Sequence, residues 1–162
     1  MKENEPKPKC RWRRTVVIAL VLFTAIQLIS AGKTNPSVAN DMISATAASA
    51  AEAKLLRAAC YDCHSHETHW PWYASVQPVS WWTVRHVREG REHLNFSDWP
   101  QTKPWEAKAK LESIAHALRS DSMPLADYRW LHPQSKLTST ERNQLAQWAE
   151  VAAKQLSLKP EP

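Results

Sequence analysis

Cys60-Tyr61-Asp62-Cys63-His64 (CYDCH) forms a CxxCH motif, which lies downstream of an uncharged apolar segment at residues 15–31. If the motif is helical, positions i, i+3 and i+4 share one face. Two thiols and an imidazole on one face suit covalent attachment of a c-type haem through two thioethers. Cys60 and Cys63 would form the thioethers, and His64 would be the proximal iron ligand. The motif therefore predicts one covalently bound haem c.

Two other kinds of site use the same residue types. A CxxC pair can be a thiol–disulfide redox centre, usually in a βαβ setting, and this chain has almost no alternating strand pattern. Zinc also takes Cys and His ligands, and the available ones are Cys60, Cys63, His64, His66 and His69. All of these come from one short segment, whereas structural zinc sites normally join two separated pairs. Haem is favoured over both alternatives.

The charge of the chain is unevenly distributed. Its 162 residues carry a formal net charge of +5. Residues 1–14 hold six basic and two acidic residues, and the remainder is nearly neutral, with fifteen against fourteen. The basic excess is therefore a topology signal, and no nucleic acid partner is predicted.

The segment Thr15–Ala31 (TVVIALVLFTAIQLISA) is uncharged and directly follows this basic stretch. Its length is at the short end for a membrane span and exceeds a usual signal-peptide core. It predicts a single transmembrane signal-anchor helix in the bacterial inner membrane, with residues 1–14 in the cytoplasm and the rest in the periplasm. The alternative is a cleavable signal, because small residues lie around Ser30-Ala31-Gly32. The exported protein would then be soluble.

The remaining chain predicts an all-α protein. Residues 32–48 are small and polar and are interpreted as a tether. Residues 49–158 predict one haem-binding domain, a small cytochrome c-like helical fold. The pattern places four helices there, at about residues 49–64, 79–94, 105–119 and from 138 onward.

The third and fourth predicted helices carry apolar stripes. On the third, the stripe recurs at i, i+4, i+7, i+8 and i+11, which is typical of a helix facing a core, and its members are Ala107, Leu111, Ile114, Ala115 and Leu118. The fourth begins with a capping box at residues 138–141, and its stripe comprises Leu145, Trp148, Ala149, Ala152 and Leu156.

Met123 is the candidate for the sixth iron ligand. It lies in the loop SDSMPL (residues 120–125), where Pro124 biases it toward an extended backbone. A thioether held opposite His64 would give His/Met coordination, which raises the reduction potential. The alternative is that Met123 is a flexible core filler. Met42, in the tether, is a poor competitor.

Three stretches resemble the bacterial haem-binding domain family related to cytochromes c. They are CYDCHSHETHWPWYASVQPVSWW, VREGREHLNFSDW and SDSMPLADYRWLHPQSKLTSTERNQLAQWA. The resemblance covers roughly residues 50–156. It implies a single covalent haem on Cys60 and Cys63 with His64 as proximal ligand, and it supports Met123 as the distal position. It implies no particular reaction.

The remaining polar and aromatic residues have two interpretations each. One face of the second predicted helix carries Trp82, His86, Glu89 and His93. This face is interpreted as ordinary polar surface in preference to a second metal site.

Eight tryptophans would line a porphyrin or fill the core: Trp70, Trp72, Trp81, Trp82, Trp99, Trp105, Trp130 and Trp148. His66 and His69 are expected to be exposed near the haem without ligating it.

Arg85, Arg88 and Arg91 would pair with haem propionates or, as favoured, form a solvated face. The His64 ring is expected to donate its N–H to a carbonyl, and the segment at residues 71–78 is the predicted source of that carbonyl.

The sequence as a whole predicts a membrane-anchored, periplasm-facing monohaem cytochrome that passes single electrons between redox partner proteins of the periplasm or membrane. No nucleophile–base constellation or paired carboxylates stand out, so an electron carrier is favoured over an enzyme. The alternatives are a peroxide-reactive haem enzyme and a haem-based sensor of gases or redox state. Both alternatives need an open sixth position on the iron.

Overall fold

The computed structural model describes residues 8–38, 41–101 and 103–157, and within these ranges the ordered elements are helices, with no strand. This confirms the all-α prediction. The α-helices are α1 (Pro8–Ile26), α2 (Met42–Ala45), α3 (Ala50–Ala59), α4 (Tyr61–His64), α5 (Val79–His93), α6 (Pro104–Arg119), α7 (Ala126–Leu131) and α8 (Ser139–Ser157). Short 3-10 helices occupy Trp72–Ser75, Phe96–Gln101 and Pro133–Ser135.

The chain forms two compact units. The first contains α1, the residues to Lys33 and the stretch Trp70–Arg85. Within it, the backbone N–H of buried Gln77 donates to Gln27 Oε1 (2.8 Å), and its side-chain amide donates to the Ile29 carbonyl (2.7 Å). These bonds connect the chain after α1 to the turn between the first 3-10 helix and α5.

Helix α1 covers only part of the predicted membrane segment at residues 15–31, because it ends at Ile26. In the described part of the chain, no helix has both the length and the apolar character needed to cross a membrane. The predicted transmembrane helix is therefore not supported. Residues 1–7 of the predicted cytoplasmic tail and residue 158 lie outside the described residues.

The second unit contains Thr34–His69 and the chain from His86 onward, and its core forms where α6 packs against α8. The stripe predicted for α6 is confirmed, since all five of its members are buried. On α8, Leu145, Ala149 and Ala152 are buried, while Trp148 and Leu156 pack at the edge of the core. Helical periodicity predicted these two stripes because one face of α6 and one face of α8 are buried in the core.

The predicted capping box at the start of α8 is also present. Thr138 Oγ1 accepts a hydrogen bond from the Glu141 backbone N–H (3.2 Å). The Glu141 carboxylate accepts one in return from the Thr138 backbone N–H (2.7 Å). Each residue thereby satisfies an N–H that has no partner inside the helix.

Part of the segment interpreted as a tether, residues 32–48, packs into the second unit, and residues 39–40 of it lie outside the described residues. Met42 is fully buried in the core, and its helix α2 packs against the 3-10 helix Phe96–Gln101. Asp41 caps α2 by accepting from the Ser44 N–H (2.9 Å) and lies 3.2 Å from the Arg57 guanidinium. A four-residue helix is too short to produce a periodic pattern, which is why the sequence did not predict it.

Candidate functional site

Cys60 lies at the junction of α3 and α4, so the single helix predicted for residues 49–64 is two helices. The Cys60 N–H donates to the Leu56 carbonyl (2.8 Å) at the end of α3. The Cys60 carbonyl accepts from the N–H groups of Cys63 (3.2 Å) and His64 (3.0 Å), which closes the turn of α4. The two thiols and the imidazole therefore arise from one turn of backbone.

Both cysteines of this turn are half-buried free thiols. Burial raises the pKa of Cys60 to about 12. Burial, followed by the negative charges of Asp62 and Asp127, raises the pKa of Cys63 to about 11. Reactive redox cysteines have a lowered pKa, so these two thiols are unlike a redox pair.

The zinc alternative finds no support in the arrangement of ligands. Among the described residues, no group of three or more His, Cys, Asp or Glu side chains is placed to hold a metal ion. The His66 ring lies 2.8 Å from the Asn95 amide, and its backbone N–H donates to Ser97 Oγ (2.9 Å). His66 is thus half-buried and not exposed as predicted, whereas the His69 side chain is exposed.

The His64 ring is held by main-chain carbonyls. Its Nδ1 lies 3.0 Å from the carbonyl oxygens of both Gly90 and Leu94, at the end of α5. Because carbonyls only accept, Nδ1 carries the proton and Nε2 presents a free lone pair. Burial lowers the His64 pKa, although these two bonds oppose the shift, so the ring is neutral near pH 7.

The expected acceptor segment at residues 71–78 was therefore wrong: the acceptors lie in and just after α5. The side chain of Phe96, which is almost completely buried, packs near the His64 ring at a centroid distance of 5.8 Å. The ring orientation is thus set by two carbonyls and one aromatic neighbour.

Gly90 is a site residue that the sequence interpretation missed. A Cβ atom there would lie 2.7 Å from the carbonyl oxygen of Cys63 and 3.4 Å from its Cβ. A glycine inside a helix ordinarily weakens it, but Gly90 allows α5 to approach the backbone of the CxxCH turn. The available signal was a lone glycine inside a helical pattern, which often marks close backbone approach.

Arg91 is also not on a solvated face. Its Nε donates to the Ser65 carbonyl (2.7 Å), directly after the motif. Its terminal nitrogens donate to the Thr34 carbonyl, Asn35 Oδ1 and Thr68 Oγ1, each at 2.9 Å. Burial lowers the Arg91 pKa. Arg91 therefore fixes the residues that follow the CxxCH turn.

Met123 lies in the loop between α6 and α7, in the same unit as the motif, and the residue is 37% exposed. This exposure contrasts with that of Met42, which is 0% exposed and fills the core. Met123 is therefore not the core filler of the alternative interpretation.

The helix after the Met123 loop, α7, was not predicted and contacts the motif. Tyr128 donates its hydroxyl hydrogen to Asp62 Oδ2 (2.7 Å), within the CxxCH sequence itself. Asp127 is close enough to Cys63 for its charge to raise the pKa of that thiol. The loop that carries Met123 thus leads directly into residues that contact the turn.

The tryptophans divide between core and surface. Trp99 is buried and Trp148 is half-buried in the core of the second unit, whereas Trp105 and Trp130 are exposed. Trp72, in the first unit, is exposed as well.

A family model described as a haem-binding domain matches residues 21–151, which is most of the chain and includes Cys60, Cys63, His64 and Met123. Comparison with curated proteins and with solved structures gives no match.

Proposed function

The chain belongs to the haem-binding domain family, and from this premise we propose that it holds one haem c covalently and passes single electrons. In this proposal Cys60 and Cys63 form the thioethers, His64 is the proximal iron ligand and Met123 is the distal ligand. The haem, when bound, supplies a one-electron iron couple whose potential the protein tunes through its ligands and through burial.

The hydrogen bonding of His64 is the observation that carries the proposal. Nδ1 donates to the Gly90 and Leu94 carbonyls, so Nε2 is the atom free to bind iron. Metal-bound histidines usually donate their other ring N–H in this way, which fixes the tautomer and raises the basicity of the ligand. A neutral, oriented imidazole one residue from a thiol fits the group that the family binds.

The thiols fit the same group. Cys60 and Cys63 are free cysteines, and their raised pKa values keep them protonated near pH 7. Formation of a thioether requires a free thiol, and a disulfide between the two residues would prevent it. The pair is therefore suited to addition across the vinyl groups of a haem, in which each S–H adds to one C=C bond and no atom is lost.

Met123 is proposed as distal ligand because its loop is anchored to the motif through α7 and its thioether is not used in the core. Two alternatives remain, a peroxide-reactive haem enzyme and a haem-based sensor, because the core does not hold the exposed Met123 in place. They require an open sixth position, whereas a carrier with His/Met coordination requires a closed one.

We propose that the N-terminal segment exports the protein, so that the haem domain is periplasmic and meets redox partners there or at the membrane. The segment is uncharged, follows a basic stretch and exposes large apolar side chains, including Ile18, Leu20 and Phe23. It would act as an anchor at the bacterial inner membrane or be cleaved as a signal. Cell fractionation with a tag at the C-terminus distinguishes the two outcomes by location and mass.

The decisive experiment is a haem stain on a denaturing gel, using the full chain produced in a strain that matures c-type cytochromes. A stained band at the monomer mass is expected, and a Cys60→Ser/Cys63→Ser variant must lose it. As a matched control, Cys10→Ser, outside the motif, must retain the stain. An unstained wild-type band from a competent strain contradicts covalent attachment, and zinc content and thiol redox state would then be assayed.

A further inference from the structure

Helix α7 contacts two acidic side chains through adjacent residues. Tyr128 donates to Asp62 Oδ2 at 2.7 Å, and the next residue, Arg129, donates to Asp121 Oδ1 at 2.8 Å. Asp62 belongs to the CxxCH turn, and Asp121 lies near the start of the loop that carries Met123. A single short helix is therefore bonded both to the motif and to the start of the loop.

The acceptor of the Tyr128 bond is itself fixed. The other carboxylate oxygen of Asp62, Oδ1, accepts a hydrogen bond from the His69 backbone N–H at 2.8 Å. The main-chain carbonyl of Asp62 accepts one from Thr68 Oγ1 at 2.7 Å. The Asp62 side chain is only 19% exposed. Tyr128 therefore donates to a charged, oriented acceptor with little competition from water, which is the stronger class of hydrogen bond.

The start of the loop is held separately. Asp121 has a positive φ of 53° and lies 2.8 Å from Arg129 and 3.3 Å from Arg142. These ion pairs fix Asp121 to α7 and α8, but neither of them reaches the CxxCH turn. The connection from α7 to Asp62 in that turn is made by the Tyr128 hydroxyl.

We propose that Tyr128 is a positioning residue whose hydrogen bond to Asp62 keeps the Met123 loop against the CxxCH turn and so keeps the sixth iron position closed. This inference rests on the proposed His64/Met123 ligation. Without the bond, the loop stays attached to α7 and α8 through Asp121 but is no longer fastened to the motif. The thioether is then released more often, and small ligands such as carbon monoxide reach the iron.

The test compares haem-loaded full-length wild type with Tyr128→Phe. Phenylalanine keeps the ring that stacks on His132 at a centroid distance of 4.1 Å, so the change removes only the hydroxyl. The readouts are the sulfur-to-iron charge-transfer band of the ferric protein and the rate of carbon monoxide binding to the ferrous protein. A weaker band and an approximately tenfold faster rate are expected, since a hydrogen bond to a charged group shifts an equilibrium by about that factor.

A double-mutant cycle with Asp62→Ala isolates the contact. The double variant is expected to bind carbon monoxide no faster than the faster of the two single variants, because both remove the same interaction. Trp130→Phe, at a nearby and exposed position on α7, is the matched control and must leave the rate unchanged.

The outcomes separate this inference from the proposed function. If Met123→Ala alters the band and the rate but Tyr128→Phe alters neither, or lowers only the stability, the role of Tyr128 is refuted and the ligation stands. If Met123→Ala leaves the spectrum unchanged, Met123 is not a ligand, and both the proposed distal ligation and the role of Tyr128 fail.

Discussion

Gly90 on α5 lies so close to Cys63 of the CxxCH turn that a Cβ atom on Gly90 would be 2.7 Å from the Cys63 carbonyl oxygen. The same approach brings the Gly90 carbonyl to 3.0 Å from His64 Nδ1. The close approach at Gly90 therefore sets the distance between α5 and the motif. It also supplies an acceptor that sets the His64 tautomer. A larger residue at position 90 would disturb both at once.

Gly90→Ala is predicted to destabilise the protein. In an exposed helix the substitution would be stabilising by up to about 1 kcal/mol, because alanine favours the helix. Here the added methyl group meets main-chain atoms that cannot rotate away, and overpacking typically costs about 1–3 kcal/mol. A lower free energy of unfolding in urea, together with a reduced yield of haem-loaded protein, is the expected result.

The control for this substitution is Glu92→Ala on the same helix, where the side chain is largely exposed and lies 3.8 Å from Arg88. Little change in the free energy of unfolding is expected for Glu92→Ala. A Gly90→Ala variant more stable than wild type would show that α5 and the motif separate at no cost.

Periodicity and local motifs predicted the parts of the fold that depend on one long helix at a time. The buried stripe of α6 and the capping box at Thr138 and Glu141 followed directly from spacing. The contacts of Gly90 and Arg91 did not, because they join residues more than twenty positions apart in sequence. Nothing local to Arg91 distinguishes a solvated guanidinium from one that holds the Ser65 carbonyl.

The same limit applies to the candidate site. CxxCH placed Cys60, Cys63 and His64 within one turn of chain, since the motif is contiguous. The acceptors of the His64 N–H were expected in the wrong segment, because any nearby carbonyl satisfies the chemistry and only tertiary structure selects one. Helix α7 is six residues long and has no buried residue, so it left no hydrophobic pattern from which to predict it.

Arg91→Lys is predicted to destabilise the protein although the charge is kept. Lysine lacks the planar fork that contacts the Ser65 carbonyl, Asn35 and Thr68 simultaneously. Leaving a buried acceptor without its donor costs about 1–3 kcal/mol. Urea denaturation measures the loss, and Arg88→Lys, at an exposed position of the same helix, is the matched control. Equal stability of the two variants would contradict the role given to Arg91.

Substitution of the two methionines is predicted to have opposite consequences. Met42→Ala removes a fully buried core side chain and is expected to lower the free energy of unfolding by about 2–5 kcal/mol. Its visible spectrum should match that of wild type once haem is bound. Met123→Ala, at a half-exposed position, is expected to change stability less and to lower the reduction potential through loss of the thioether ligand.

Urea denaturation and a redox titration of the haem-loaded variants check this pair. A Met42→Ala variant with an altered potential would show that the core residue also affects the iron, which contradicts this prediction. An unchanged potential in Met123→Ala would remove the support for His/Met coordination.

The cap of α8 predicts a pH dependence of stability. Hydrogen bonds from the backbone N–H and the hydroxyl of Thr138 lower the pKa of Glu141 below its ordinary value. A carboxylate with a depressed native pKa stabilises the fold above its unfolded pKa, about 4.3, and this contribution is lost as the pH falls through the lower native value.

The stability difference between wild type and Glu141→Ala should therefore be constant above about pH 5.5 and shrink below about pH 4. Urea denaturation across this range measures it, with Glu112→Ala, at an exposed position outside any cap, as the control. A difference that stays constant down to about pH 3 would mean that the charge of Glu141 does not contribute.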